Sequence, residues 1–351
     1  MRLFVRRAVA AAAAGLALVR PLAGQQPAPA APPAPTITLG VLAYGQYLYQ
    51  LKDTLNHQND FEDSRAYVNA IARSGTVMGR ITVDLFNGGT NASRFSYRLK
   101  YAYAAWTPAK SALTYKFGLI HTAWLDWEEA LWDYRMQGSM PIERNGYQSS
   151  ADFGAGVDGK WTDDQVNMQV TLVNGEGYGG GVGDQRKDAQ ARVSIRAAKT
   201  DDASRVGGLR LTGFAQYGKP TGGGTRQRYL GMLSYRSKLV TLAGQFLATT
   251  DSTAGAPNVS GQMFSAYGVY RVPKSGAALL ARVDYSKPNT NVLSTAPGVS
   301  NARVIAGVSY QITPNLRVLG DLDLLSYKNG SPNAAAEAAR QTAYFQMQVN
   351  F

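Results

Sequence analysis

Apolar and polar residues alternate with a period of two from about residue 36 to the last residue. Val77, Gly79, Ile81, Val83 and Leu85 interleave with Met78, Arg80, Thr82 and Asp84, and Phe95, Tyr97, Leu99, Tyr101 and Tyr103 interleave with Arg94, Ser96, Arg98, Lys100 and Ala102. Leu113, Tyr115, Phe117 and Leu119 stand against Thr114 and Lys116, while Ala191, Val193 and Ile195 stand against Arg192, Ser194 and Arg196. Later stretches repeat the division: Ala281, Val283 and Tyr285 against Arg282 and Asp284, then Val304, Ala306, Val308 and Tyr310 against Arg303, Ser309 and Gln311. Such alternation predicts β-strands with one apolar and one polar face.

The connections alternate as well. Short ones lie near residues 74–76, 107–111, 162–164, 236–238, 272–275 and 313–315, with a looser one at 199–205. Long ones rich in Gly, Asn, Ser and Pro lie near 52–60, 87–93, 122–147, 174–186, 218–225, 249–260, 287–300 and 328–340. Seven short and eight long connections separate sixteen strands, and an even number of antiparallel strands puts both ends on the short-turn side.

A soluble sandwich also alternates, so the decision rests on which face is buried. The polar faces carry long Arg and Lys on strand after strand, too many for a soluble core, and the apolar faces are rich in Tyr, Leu, Val and Phe. A closed all-β, antiparallel transmembrane barrel, apolar outward to lipid and charged inward around water, satisfies both faces. A mean hydropathy of −0.22 fits, because only half of each strand needs to be apolar.

One stretch breaks the alternation. Residues 121–147 carry three of the chain's five Trp (Trp124, Trp127, Trp132), the acids Asp126, Glu128, Glu129, Asp133 and Glu143, and the bases Arg135 and Arg144. Trp124, Trp127, Leu131 and Tyr134 follow helical spacing, so a helix is expected, capped by Thr122 and ended by Gly138 and Pro141. This is the third long loop, between strands five and six. Folded into the lumen, it would set Asp126, Glu129 and Asp133 opposite the basic wall as a constriction.

The N-terminus has the plan of a secretory signal peptide, with Arg2, Arg6 and Arg7, then an apolar run over 8–19 too short to span a bilayer, then small residues at Ala23 and Gly24. We expect a signal over 1–24, a Pro/Ala-rich linker over 25–35, and the barrel over 36–351. Removing 1–24 takes four Arg and no acid from a net +12, leaving +8. Composition alone leaves nucleic acid, anionic surfaces and anionic solutes open as partners; the charges on strand faces point to solutes in a lumen rather than nucleic acid. No Cys is present, which excludes disulfides and thiolate metal sites, and no metal or cofactor is expected.

The alternation assigns Arg65, Arg80, Arg94, Arg98, Lys100, Lys116, Arg192, Arg196, Arg210, Arg228, Arg271, Arg282, Arg303 and Arg317 to the lumen, against Asp84, Asp284, Asp321 and Asp323. Fourteen bases against four acids would concentrate anions, although many of these Arg could simply pair with neighbours. Gly175, Gly177 and Gly180 match a glycine-rich nucleotide motif without the flanking strand and helix, so a mobile loop is the simpler reading. His57 and His121 sit at loop edges with no nucleophile motif, and an enzyme is not expected. The pairs Asp163–Asp164 and Asp201–Asp202 read as solvated turns.

Phe345, Met347, Val349 and Phe351 form an amphipathic final strand with a terminal aromatic, similar to the signal by which Gram-negative barrels engage their assembly machinery. The segments 63–86, 102–108 and 115–124, with Glu143-Arg144, resemble the sixteen-strand trimeric porins of Gram-negative bacteria, and most of all the phosphate-selective group. That resemblance implies a homotrimer in outer-membrane lipid, passing small hydrophilic or anionic solutes, phosphate among them. The group's concentrated Lys cluster has no counterpart, since Lys is scattered here. A structural or adhesive barrel with a closed pore is the alternative.

Overall fold

The computed structural model describes residues 34–88, 95–181, 184–220, 223–253, 255–291 and 297–351. The expected signal, most of the linker and Arg94 lie outside them. Sixteen strands follow in order: β1 (Thr36–Gln50), β2 (Asn59–Ser74), β3 (Val77–Asn87), β4 (Phe95–Trp106), β5 (Leu113–His121), β6 (Ala151–Trp161), β7 (Val166–Val173) and β8 (Asp188–Ala198), then β9 (Gly208–Gly218), β10 (Thr225–Arg236), β11 (Val240–Ser252), β12 (Val259–Arg271), β13 (Ala277–Lys287), β14 (Asn301–Thr313), β15 (Leu316–Tyr327) and β16 (Gln341–Asn350). Each pairs antiparallel with its sequence neighbours, and β1 pairs with β16 from Leu42↔Asn350 to Gln50↔Thr342, which closes the barrel. Closure leaves no edge strand with unpaired N–H and C=O groups, the condition a sheet must meet in hydrocarbon.

The barrel is inside out relative to a soluble domain. Tyr97, Phe117 and Leu39 are 81, 74 and 73% exposed, whereas Arg210 and Arg282 are 0 and 1% exposed. On the last strand Phe345 and Met347 face outward with Phe351, whose backbone N–H and C=O pair with Val41.

Three outward assignments, Tyr101, Tyr103 and Leu119, are corrected. In the β3–β4 ladder Val83 faces Leu99 but Thr82 faces Tyr101, so Lys100 is one extra residue, a β-bulge. Leu99 points outward, while Lys100, Tyr101 and Tyr103 are all buried. The bulge thus turns two tyrosines expected on the lipid face into the interior. Leu119 is also buried, in a cluster with Tyr101, Tyr103, Ile120 and Val173. Its neighbour Gly118 has φ +124, and a Cβ there would meet the Ala102 carbonyl at 2.4 Å, so β5 and β4 press together at this point.

Candidate functional site

The 122–150 segment holds helix α1 (Leu125–Trp132), a 3-10 turn (Arg135–Gln137) and helix α2 (Pro141–Arg144). The expected helix limits are corrected. Thr122 does not cap α1; its hydroxyl donates to the Ser149 carbonyl at 2.6 Å and fastens the two ends of the segment together. The helix stops earlier than Gly138, because Asp133 adopts a left-handed φ of 62°. Pro141 opens α2 rather than ending α1, in keeping with its lack of an N–H at a position where none is needed.

The apolar stripe of α1 decides where the segment lies. Trp124, Trp127, Leu131 and Trp132 are fully buried. Trp124 meets Phe214 of β9 at 5.7 Å and Trp132 meets Tyr267 of β12 at 5.1 Å, while Arg192 of β8 lies 4.1 Å over Trp127. Glu128, on the same side, accepts hydrogen bonds from Trp124 Nε1 and Gln245 Nε2. Burial pushes its carboxyl up to about 7 against the pull of Arg282 and those two donors.

Having no basic residue in its last turn, α1 takes its C-terminal caps from the wall. Arg236 donates to the Ala130 and Leu131 carbonyls at 2.6 and 3.2 Å, and Arg317 to the Asp133 carbonyl at 2.8 Å, which satisfies free acceptors and complements the negative end of the helix dipole. Tyr134 bonds Ser309 at 2.7 Å and Gln346 donates to the Met136 carbonyl at 2.9 Å. These contacts hold the segment against inward side chains of β8–β16.

The opposite face of α1 borders two cavities. One, of about 360 Å³, is bounded by Tyr67, Asn69, Arg80, Lys100 and Tyr101 on one side and Asp126, Glu129, Asp133 and Arg135 on the other. A second, of about 840 Å³, opens beside the 75–77 and 107–111 turns and shares Arg80, His121, Asp126 and Arg205 with the first. Arg73, Arg80, Lys110, Lys116, Lys160 and Arg205 line it against Asp126 and Asp158, six bases to two acids.

The predicted bases divide sharply by partner. Arg65 and Arg98 share Asp84 at 3.2 and 3.1 Å, and Lys116 pairs with Asp158. Arg196 pairs with Asp163, Arg210 with Asp164 and Arg228 with Asp251. Arg282 pairs with Asp284 at 2.7 Å and Arg303 with Asp323 at 2.6 Å, while Arg271 and Arg317 both lie within 3.7 Å of Asp133. The expectation of four inward acids is therefore corrected: Asp158, Asp163, Asp164, Asp251 and Asp133 also face these bases. The turn acids Asp164 and Asp202 are ion-pair partners rather than solvated groups, Asp202 holding Arg236 at 2.7 Å, whereas Asp163 stays solvated, its side chain 81% exposed beside Lys199. Asp321, predicted inward, is buried.

Among the described residues, Arg80, Lys100 and Arg192 alone of that set have no acid partner. Arg192 is spent on the Ala123 carbonyl and Asn167. Arg80 and Lys100 line the smaller cavity and are oriented by neutral groups. Arg80 donates to Asn69 Oδ1 at 2.9 Å and Thr82 Oγ1 at 3.1 Å and lies 4.7 Å over Tyr101, and Lys100 donates to Tyr67 Oη at 3.2 Å. Their charge is positioned without being neutralised.

For Asp126, burial would raise the pKa, but Arg205 at 2.7 Å outweighs it and holds the carboxyl well below its ordinary value. Arg135 bridges Glu129 at 2.8 Å and Glu143 at 3.1 Å; its burial opposes its charge, and the two carboxylates keep it charged. Arg144 lies 3.6 Å from Asp323.

Three contributors were not legible from the alternation. Arg205, in the β8–β9 turn, reaches Asp126. His121, first read as a loop-edge residue, is buried, stacked on Tyr101 at 3.9 Å, with Nε2 at 3.3 Å from Arg80. A guanidinium only donates, so that nitrogen accepts and the ring proton belongs on Nδ1. Tyr178, in the glycine-rich loop expected to be mobile, is tied by its N–H to the Ala151 carbonyl and by its hydroxyl to Arg98 at 2.8 Å.

No family model and no curated protein matches this sequence. Solved structures match nearly the whole chain. A loop-L8 deletion mutant of OmpT, an outer membrane protein of Vibrio cholerae, superposes with a TM-score of 0.65 at 12% identity, covering 91% of this chain and 100% of that one. An anion-selective porin from Comamonas acidovorans gives 0.65 at 12% identity over 91 and 100%. OmpF of Salmonella typhi, in complex with daunomycin, gives 0.65 at 15% identity over 90 and 97%. At such identities the likeness establishes the fold: a closed sixteen-strand barrel of the kind outer-membrane porins have.

Proposed function

We propose that this chain is an outer-membrane porin, a water-filled channel for passive diffusion of small hydrophilic solutes with a preference for anions, inorganic phosphate among them. The observation that carries the reading is the pair of adjoining cavities, where Arg80 and Lys100 stand without acid partners and bases outnumber acids six to two in the wider one. Fixed positive charge between low-dielectric walls raises the local anion concentration and lowers that of cations. The segment carrying α1 acts as the constriction: it sets the size limit, and its acids temper the field of the wall. The resemblance of structure to an anion-selective porin agrees with this reading. Export by a signal over 1–24, assembly through the strand ending in Phe351, and a homotrimer in the outer membrane of a Gram-negative bacterium belong to the same proposal.

Ion currents through purified protein in planar bilayers test it. Stable conductance with a reversal potential on the anion side in a potassium chloride gradient is expected, and replacing chloride by phosphate should keep the anionic sign. A barrel without current would leave its loops, rather than a pore, as the functional surface.

A further inference from the structure

We propose that the smaller cavity favours one class of anion, small hydroxylated carboxylates such as hydroxy acids and sugar acids; this rests on the barrel being an open channel. The bulge at Lys100 brings Lys100 and Tyr101 to the interior together, beside Arg80, so one wall offers two cations held only by neutral groups. A carboxylate is their natural partner.

The facing wall decides what the rest of the solute should be. Asp133 closes α1 with its side chain 39% exposed, and Arg271 and Arg317 approach it at 3.7 and 3.6 Å, outside hydrogen-bond range. Its carboxylate therefore accepts no hydrogen bond among the described residues, although two guanidiniums outweigh its charge. An ammonium group would meet net positive charge there, whereas a hydroxyl can donate to the free oxygens without opposing it. An alkyl chain would leave those oxygens bare and gain nothing. The cavity, at about 360 Å³, lies within the size range of small-molecule sites.

Bi-ionic reversal potentials with potassium gluconate and potassium hexanoate test this, since both anions carry a six-carbon chain and a carboxylate. Gluconate, the bulkier, should be more permeant than hexanoate by about fivefold, the factor for one contact worth about 1 kcal/mol. Asp133→Gly removes the acceptor at a φ of 62° that suits glycine, so the helix end is kept; there the gluconate-to-hexanoate ratio should fall to one or below while chloride still flows. Chloride current with hexanoate at least as permeant as gluconate, or a ratio unmoved by Asp133→Gly, overturns the inference and leaves the channel standing. Absence of chloride current overturns the channel reading itself.

Discussion

Replacing Arg80 by Gln is the most informative single perturbation of selectivity, because this charge is oriented by Asn69, Thr82 and His121 and neutralised by no carboxylate among the described residues. An ion passing at about 8 Å feels roughly 0.5 kcal/mol from a unit charge in water, and more where the walls lower the dielectric. Loss of the charge raises the energy of an anion and lowers that of a cation by similar amounts, so the permeability ratio should change by roughly 1 kcal/mol, about fivefold toward cations. Salt screens the effect, so it should shrink as ionic strength rises. The assay is the reversal potential of single channels in a potassium chloride gradient, compared with the double variant Lys116→Gln, Asp158→Asn. That variant removes both members of an ion pair and no net charge, so it should leave the potential near the wild-type value. If Arg80→Gln conducts normally with an unchanged reversal potential, the assignment of selectivity to the unpaired wall cations is wrong.

Other expectations follow from the same contacts. Changing Asp126, Glu129 and Asp133 together to Asn, Gln and Asn should strengthen anion preference by freeing Arg205, Arg135, Arg271 and Arg317; an unaltered potential would place α1 outside the conduction path. Glu128 has its folded-state pKa raised from 4.5 to about 7, so the folded barrel binds more protons than the unfolded chain between those values and loses stability as pH rises through that window. The gap corresponds to roughly 3 kcal/mol, and Glu128→Gln should flatten the pH dependence of thermal unfolding in detergent micelles, with the largest gain above neutral pH. Trp127→Ala empties a site 1% exposed beneath Arg192 and should cost about 3–5 kcal/mol of anchoring. Single-channel records of that variant should show larger, noisier conductance, and a quiet wild-type level would argue against the anchor.

Most of the barrel was legible in the sequence because lipid outside and water inside impose the same alternation on every strand. The limits of legibility are equally physical. In RLKYAYAAW the alternation continues unbroken through Lys100, and only the pairing with β3 reveals that Lys100 is inserted and that Tyr101 and Tyr103 turn inward. A bulge belongs to the ladder between two strands, so one strand's pattern does not encode it. The neutralising acids were missed for a related reason: Asp164 and Asp202 lie in turns, where no face can be assigned, yet their side chains fold back onto Arg210 and Arg236. Arg205 escaped in the same way. The Trp spacing did mark the buried face of α1, but its ends depended on backbone conformation at Asp133 and on carbonyl caps donated by distant strands. Charge counting along strands thus overstated the free positive wall, and the contacts reduce it to a few positioned cations.

The measurement that bears most directly on function is single-channel current from the purified barrel in a planar bilayer under a potassium chloride gradient. Open, long-lived conductance with the reversal potential displaced toward the chloride equilibrium value is expected. No current, or a displacement toward potassium, would contradict an anion-preferring pore built around Arg80 and Lys100.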